Sequence, residues 1–460
     1  MKSKFWFMIV ALLVAASMLL TACQPAAPAQ PPAAEEPAAE EPAAEEPAAE
    51  EPAAEEPAAE EPAAEEPAEK SAVEIFSWWT AGGEAEGLNG MFKIYSEKYP
   101  DVEIINATVA GGAGTNAKAV LATRLAGGDP PDSFQVHAGL EVEKYSPADY
   151  LEPIDDLFDA SVFPADLLSM LEYEGHYWSM PVNIHRSNVL WYNKTVFEEQ
   201  GLEVPMTKEE FFTVAEALQG AGIIPVAMGT KDGWEAGHVF EGMLAATMGA
   251  EGYRGLWDGT VSWEDPRVTE ALEYFLATME YVNDDNAALT WDGAGEYFIE
   301  NKAAMMIMGD WTAGWFASKA YSDYGWSATP GSNGIFVGLS DSFALPKGAP
   351  NEANAKAWLE VCGSKEGQEA FNPAKGSICA RTDCDNEAFK VVPETYEYLT
   401  SAAEAWSTES IVPSVMHGAA AYESWTTEFK DAIALFASTG DVAGTQATLQ
   451  ALCVDAGVCQ

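Results

Sequence analysis

The sequence predicts an α/β protein built on parallel sheet and divided into two lobes. Three observations carry this. Short apolar strands alternate with amphipathic helical segments between residues 73 and 228. Some 390 residues follow an acidic low-complexity tail, more than one hydrophobic core usually organises. The chain is 48% hydrophobic and 11% aromatic, which is enough to pack such cores.

Val73-Glu74-Ile75-Phe76-Ser77 reads as a short buried strand. The polar, glycine-rich stretch 80–87 reads as a loop, and 88–98 as an amphipathic helix ended by Tyr99-Pro100-Asp101. Residues 102–109 predict a second strand, 115–125 a second helix, and 133–136 a third strand entered through Gly127-Gly128-Asp129-Pro130-Pro131. Further on, 189–192 predicts a strand, 207–220 a helix whose Thr207 and Glu210 form a capping box, and 223–228 a strand. In open α/β sheets, ligands sit at loops beyond the carboxyl ends of strands.

Those loops carry Trp78, Trp79 and Glu84 after the first strand, Gln135 and His137 at the third, and Asn183 and His185 further on. Aromatic planes can cover the C–H face of a sugar, and amide, carboxylate and imidazole groups can satisfy its hydroxyls. Adjacent residues of a strand face opposite ways, so one tryptophan is expected in the core and Trp79 is expected to be the exposed one.

The N-terminus reads as an address. Lys2 and Lys4 precede a largely apolar run of sixteen residues, 5–20, short of the about 20 that span a bilayer. This is the layout of a secretory signal peptide over residues 1–22. Leu20-Thr21-Ala22-Cys23 resembles a lipobox, which implies cleavage before Cys23 and lipidation of it. Over 33–67 the unit Ala-Ala-Glu-Glu-Pro repeats seven times, and a proline at every fifth residue excludes a stable helix. Residues 23–70 are therefore read as a lipid-anchored linker, whose repeat over 33–67 is extended by charge and proline to at most about 110 Å at about 3.1 Å per residue. No later stretch approaches 18 consecutive apolar residues, so anchoring is expected through lipid alone.

The chain has 23 Lys and Arg against 73 Asp and Glu, a formal charge of −50. The first 70 residues hold three lysines and fifteen glutamates, or −12, leaving −38 on residues 71–460. Such a field argues against nucleic acid, anionic ligands and anionic membrane surfaces, and favours a neutral or cationic partner. Besides Cys23 there are five cysteines. The close pairs Cys379/Cys384 and Cys453/Cys459 suggest two disulfides with Cys362 left over, and Cys362 with Cys379 is an open alternative.

Taken in order, Ile75-Phe76-Ser77-Trp78-Trp79, Gly128-Asp129-Pro130-Pro131-Asp132, Asn188-Val189-Leu190-Trp191-Tyr192-Asn193-Lys194, Met308-Gly309-Asp310-Trp311 and Ser364-Lys365-Glu366-Gly367-Gln368 resemble the extracellular solute-binding proteins of sugar-importing ABC transporters. More specific stretches, Phe134-Gln135-Val136-His137-Ala138-Gly139, Leu339-Ser340-Asp341-Ser342-Phe343 and 371–377, are most similar to the glucose- and mannose-binding members.

The resemblance implies a two-lobed periplasmic-binding-protein-like fold with hinge-connected lobes and the sugar in the cleft between them. The N-terminal lobe would comprise 71–184 with 333–378 and the C-terminal lobe 185–332 with 379–460. Crossings are implied near 184–187, near 331–335 and near Cys379. Carried over, Trp79 would stack on the sugar, and Glu84, Gln135, His137, Asp341 and Lys375 would bond its hydroxyls, Asp341 and Lys375 as a carboxylate–ammonium pair. His417, Trp291, Asn183, Asp310 and Trp311 would close the pocket from the other side. A competing role for Asp310 is to cap the helix entered at Trp311. The implied partners are a sugar and the ABC permease with its cytoplasmic ATPase; the implied state is a monomer outside the cytoplasmic membrane.

Other readings find less support. Glycosidases need two carboxyl groups about one bond, and 58 acidic residues in the domain could always supply a pair. No Gly-x-Ser-x-Gly elbow is present. Gly112-x-Gly114-x-x-Ala117 fits a dinucleotide fingerprint formally, against the charge of the domain. The five histidines show no metal spacing, and Asn283-Asp284-Asp285-Asn286 reads as a solvated turn. The expectation is therefore no enzyme, no cofactor and no metal. A receptor for a disaccharide or another neutral or cationic solute, and an adhesion lipoprotein, are the alternatives.

Overall fold

The computed structural model describes residues 71–459. The expected signal peptide, Cys23 and the repeat linker lie outside the described residues. The strands, in chain order, are β1 (Ala72–Ser77), β2 (Glu103–Thr108), β3 (Ser133–His137), β4 (Glu172–Tyr173), β5 (His176–Tyr177), β6 (Ser179–Pro181), β7 (His185–Arg186), β8 (Val189–Asn193), β9 (Ile224–Val226), β10 (Ala303–Ile307), β11 (Tyr324–Ala328), β12 (Ile335–Leu339), β13 (Asp341–Ala344) and β14 (Ser410–Pro413). A five-stranded sheet in the order β2-β1-β3-β13-β6 centres one lobe, and a four-stranded sheet in the order β11-β8-β10-β9 centres the other. Between them runs a three-stranded sheet, β14-β12-β7.

Two segments pass through all three sheets: β6, β7 and β8 in succession, and β11, β12 and β13 in succession. Ile378 adds a bridge to Ile184 beside the first of these. A crossing strand cannot choose its direction freely, and this explains where the parallel sheet expected from the sequence fails. β1 runs parallel to β2 and β3, as strand-helix-strand units require, but β13 is antiparallel to β3 and β6. It continues β12 after a single residue, Ser340, so its sense is set by the crossing. The second sheet is mixed for the same reason, with β8 antiparallel to β10 and β11.

The first helix begins at Gly82, six residues before the expected start at 88. Its glycines are a packing surface. A Cβ on Gly83 would lie 2.2 Å from the Ala374 carbonyl oxygen, one on Gly87 2.9 Å from Phe371, and one on Gly90 2.7 Å from the Ala370 carbonyl oxygen. The helix Gly82–Lys98 can therefore lie against Lys365–Lys375 backbone to backbone, and Glu84 in its first turn complements the helix dipole. The Thr207/Glu210 capping box is present on Lys208–Gly220. Gly112–Gly114 makes one 3-10 turn ahead of Thr115–Gly127. The 283–286 turn is less solvated than expected: Asn283 is buried and its Oδ1 accepts the Met228 amide at 2.8 Å.

Cys379 is bonded to Cys384 and Cys453 to Cys459, while Cys362 is a buried free thiol. Among the described residues no helix is long and apolar enough to cross a membrane, and no group of side chains could hold a metal ion.

Candidate ligand-binding site

A cleft of about 680 Å³ opens between the lobes, a size usual for small-molecule sites. The first lobe lines it with Trp78, Trp79, Glu84, Gly112, His137, Asp341 and Lys375. The second contributes Trp234, Trp291, Trp311, Trp315 and His417, and His185 on the crossing strand forms the floor.

The two tryptophans leave β1 together. Both are buried: Trp78 is 7% exposed and Trp79 only 1%. Trp79, expected to be the exposed one, is clamped by Phe371 and Phe343 at centroid distances of 4.9 and 5.7 Å. Strand alternation no longer applies once β1 has ended at Ser77, and both rings turn to the cleft wall. Trp78 is fixed through its amide, which donates to Gln135 Oε1 at 3.2 Å.

Asp341 opens β13 and is the most heavily bonded group of the site. It accepts from Gln135 Nε2 at 3.1 Å and from Asn183 Nδ2 at 2.8 Å, while its own amide donates to Asn183 Oδ1 at 2.7 Å. Burial by itself would raise its pKa, but the neighbouring His185 ring and Lys375 ammonium outweigh it and hold the carboxyl well below the usual range. The expected Asp341–Lys375 ion pair does not form. Lys375 ends its helix facing back across to Gly82–Lys98, so its Nζ meets Glu84 Oε1 at 2.7 Å. It also sits 5.5 Å from the Trp79 ring and 6.0 Å from the Trp311 ring, a cation between two aromatic faces.

His137, at the end of β3, pairs its Nδ1 with Glu141 at 2.6 Å, and Lys118 closes on the same carboxylate at 2.7 Å. Burial opposes the Glu141 charge, yet Lys118 and His137 prevail and bring its pKa down to about 2. His417 follows β14 and is placed by Glu241, which accepts from Ser187, Ser414 and the Val415 amide. Burial lowers the His417 pKa well below its ordinary value, so this ring is a neutral donor and acceptor at pH 7. Asp310 makes no side-chain cap for Trp311–Ser318. Its carboxylate turns inward instead, to His185 Nδ1 and the Arg186 amide.

Of the residues singled out in the sequence, Trp79, Glu84, His137, Trp291, Trp311, Asp341, Lys375 and His417 line the cleft; Gln135, Asn183 and Asp310 do not. These three stand behind the wall and hold its members by hydrogen bonds. Trp234 and Trp315 are lining residues that the sequence reading missed. Trp315 was within reach, because it follows Trp311 by one helical turn. Trp234 gave no local signal; its ring abuts the opposite lobe, where a Cβ on Gly112 would lie 2.4 Å from Trp234 Nε1.

Residues 70–369 match the model of a family described as bacterial extracellular solute-binding protein. An uncharacterized ABC transporter extracellular-binding protein of Pyrococcus horikoshii is 38% identical over 378 residues, 80% of this chain and 84% of its own. A probable sugar-binding periplasmic protein of Brucella suis biovar 1 is 30% identical over 363 residues, 76% of this chain and 84% of its own. Among solved structures, the bacterial solute receptor AcbH, described as having an exclusive preference for β-D-galactopyranose, is similar with a TM-score of 0.72 at 23% identity. The likeness covers 84% of this chain and 98% of that one, and it extends to the two-lobed fold.

Proposed function

The chain belongs to the bacterial extracellular solute-binding protein family, as a sugar-binding component of an ABC transporter, and on that premise we propose that its ligand is a neutral monosaccharide such as glucose or mannose. It is a binding receptor and not an enzyme. The observation that carries the monosaccharide reading is the make-up of the cleft: tryptophan rings on both walls, with Asp341, His137, His417 and the Lys375–Glu84 pair between them. Such rings cover the apolar face of a pyranose, and the polar groups match hydroxyls that both donate and accept. Gln135, Asn183 and Asp310 act in this reading as supports.

The lobes are assigned as 71–184 with 333–378 and 185–332 with 379–460, closing about the crossing strands. Only a liganded cleft gains contacts from both lobes, and that difference sets how far a ligand shifts the open and closed populations. Lipidation at Cys23 and the repeat linker would tether a monomer outside the cytoplasmic membrane, within reach of its permease and the ATPase that drives it.

The test is a thermal-shift screen against glucose, mannose, galactose, xylose, maltose, cellobiose, trehalose, glycerol phosphate and spermidine. A ligand at 100 times its Kd adds about 2.7 kcal/mol of stability. Stabilisation by glucose or mannose and not by the disaccharides is expected. Stabilisation by a disaccharide or spermidine alone overturns the monosaccharide reading and leaves the family standing.

A further inference from the structure

His185 begins β7, the strand that passes from one lobe to the other. Its Nδ1 is hydrogen-bonded to Asp310, at the start of Trp311–Ser318 in the second lobe, and its Nε2 lies 3.4 Å from Asp341 Oδ2, at the start of β13 in the first. The ring and both carboxylates are buried. Each carboxylate already accepts bonds elsewhere, Asp310 from the Arg186 amide at 2.8 Å and Asp341 from Gln135 and Asn183. A neutral imidazole has one N–H, so one of its nitrogens would turn a lone pair toward a carboxylate. Only the doubly protonated ring presents a donor to both.

We propose that His185 is an imidazolium bridge between Asp310 and Asp341, one carboxylate from each lobe, and a positioning residue that keeps Asp341 aimed into the ligand cleft. The positioning role rests on the cleft being the sugar site; the bridge itself does not. Among the described residues Nε2 makes no hydrogen bond, its 3.4 Å approach to Asp341 Oδ2 being an ion-pair contact, and His185 lines the cleft, so the Nε2 proton is left for Asp341 and a ligand hydroxyl to draw on.

The charged and titratable groups around the ring are Asp310, Asp341 and Lys375, with His137 Nε2 3.8 Å from Asp341 and Tyr398 beside Asp310. Burial lowers the His185 pKa and Lys375 lowers it further, but Asp310 and Asp341 outweigh both and raise it. Ligand affinity that depends on the bridge is therefore present at low pH and lost as pH rises through the His185 pKa.

The test begins without ligand, on 15N-histidine-labelled protein followed by NMR from pH 5.5 to 9. The His185 signal is assigned as the one lost in His185→Gln or, should that variant not fold, by elimination with single variants of the other four histidines. Both its nitrogens are expected to stay protonated well past the ordinary value of about 6.5, and Asp341→Asn to bring that transition down. Titration at or below about 6.5 overturns the bridge. Isothermal titration with glucose and mannose then reads the positioning role. Wild-type affinity should fall by up to about tenfold per pH unit above the transition, as one linked proton requires, and His185→Gln should be weaker and flat. A flat wild-type profile overturns the role. If neither sugar binds, the monosaccharide reading fails, and the NMR result still decides the bridge.

Discussion

Glu235, in the first turn of the helix Trp234–Asp258, has a fully buried carboxyl whose two oxygens have no hydrogen-bond partner among the described residues. Burial, with Asp232 adding to it, raises its pKa from 4.5 to about 8. Between those two values the unfolded chain has lost a proton that the folded chain retains, so stability falls as pH rises through the window. We predict that Glu235→Gln, which keeps the shape and removes the titration, flattens this loss. In urea unfolding the variant should match the wild type near pH 4.5 and exceed it by on the order of 4 kcal/mol at pH 8.5. Equal midpoints at pH 8.5 would refute the account. Glu141 illustrates the opposite case, a buried carboxylate kept charged by Lys118 and His137, whose contribution is present above its unfolded pKa and lost only in acid.

At the scale of elements, the glycines of Gly82–Lys98 decide how closely the helices beside the cleft can pack. A Cβ on Gly83 would meet the Ala374 carbonyl oxygen at 2.2 Å and the Gly314 backbone at 2.8 Å, so three helices, Gly82–Lys98, Trp311–Ser318 and Lys365–Lys375, converge where only hydrogen fits. Backbone atoms cannot move aside as a side-chain tip can. Gly83→Ala is therefore expected to push these helices apart and cost about 1–3 kcal/mol, read as a lower melting temperature. Sugar affinity should fall with it, because Glu84 and Lys375 sit at the same seam. A variant with unchanged melting and affinity would show that the seam relaxes freely.

Across the whole molecule, −38 charges on residues 71–460 repel one another, and two lysines pair with a carboxylate from one lobe to the other. Lys118 and Lys144, both near β3 in the first lobe, reach Glu423 of the helix Glu423–Thr439, which packs on Trp234–Asp258 in the second. The contacts are 3.7 and 3.1 Å. Because the pair bridges the lobes, its loss should fall on closure more than on folding. We predict that Glu423→Gln weakens sugar binding about two- to fivefold, equivalent to about 0.5–1 kcal/mol, mainly through faster release. Stopped-flow measurements at low and high salt check this, since the difference from wild type should shrink as salt screens the bridge. An unchanged release rate at low salt removes Glu423 from the closure mechanism.

The alternation of strands and helices, the two-lobed class and the family were legible in the sequence because they depend on local periodicity and on short motifs such as Met308-Gly309-Asp310-Trp311. Eight of the eleven proposed contacts line the cleft for the same reason: they sit in motifs at strand ends. Pairings were not legible. Lys375 meets Glu84 rather than Asp341, Asp310 turns to His185 rather than to its own helix, and Trp79 is sealed by Phe343 and Phe371. Each of these depends on the path of the crossing strands, which brings together residues up to 291 positions apart. Local sequence records which groups a site contains, but carboxylates and cations pair by distance in space, and here that distance is set by how the two lobes are joined.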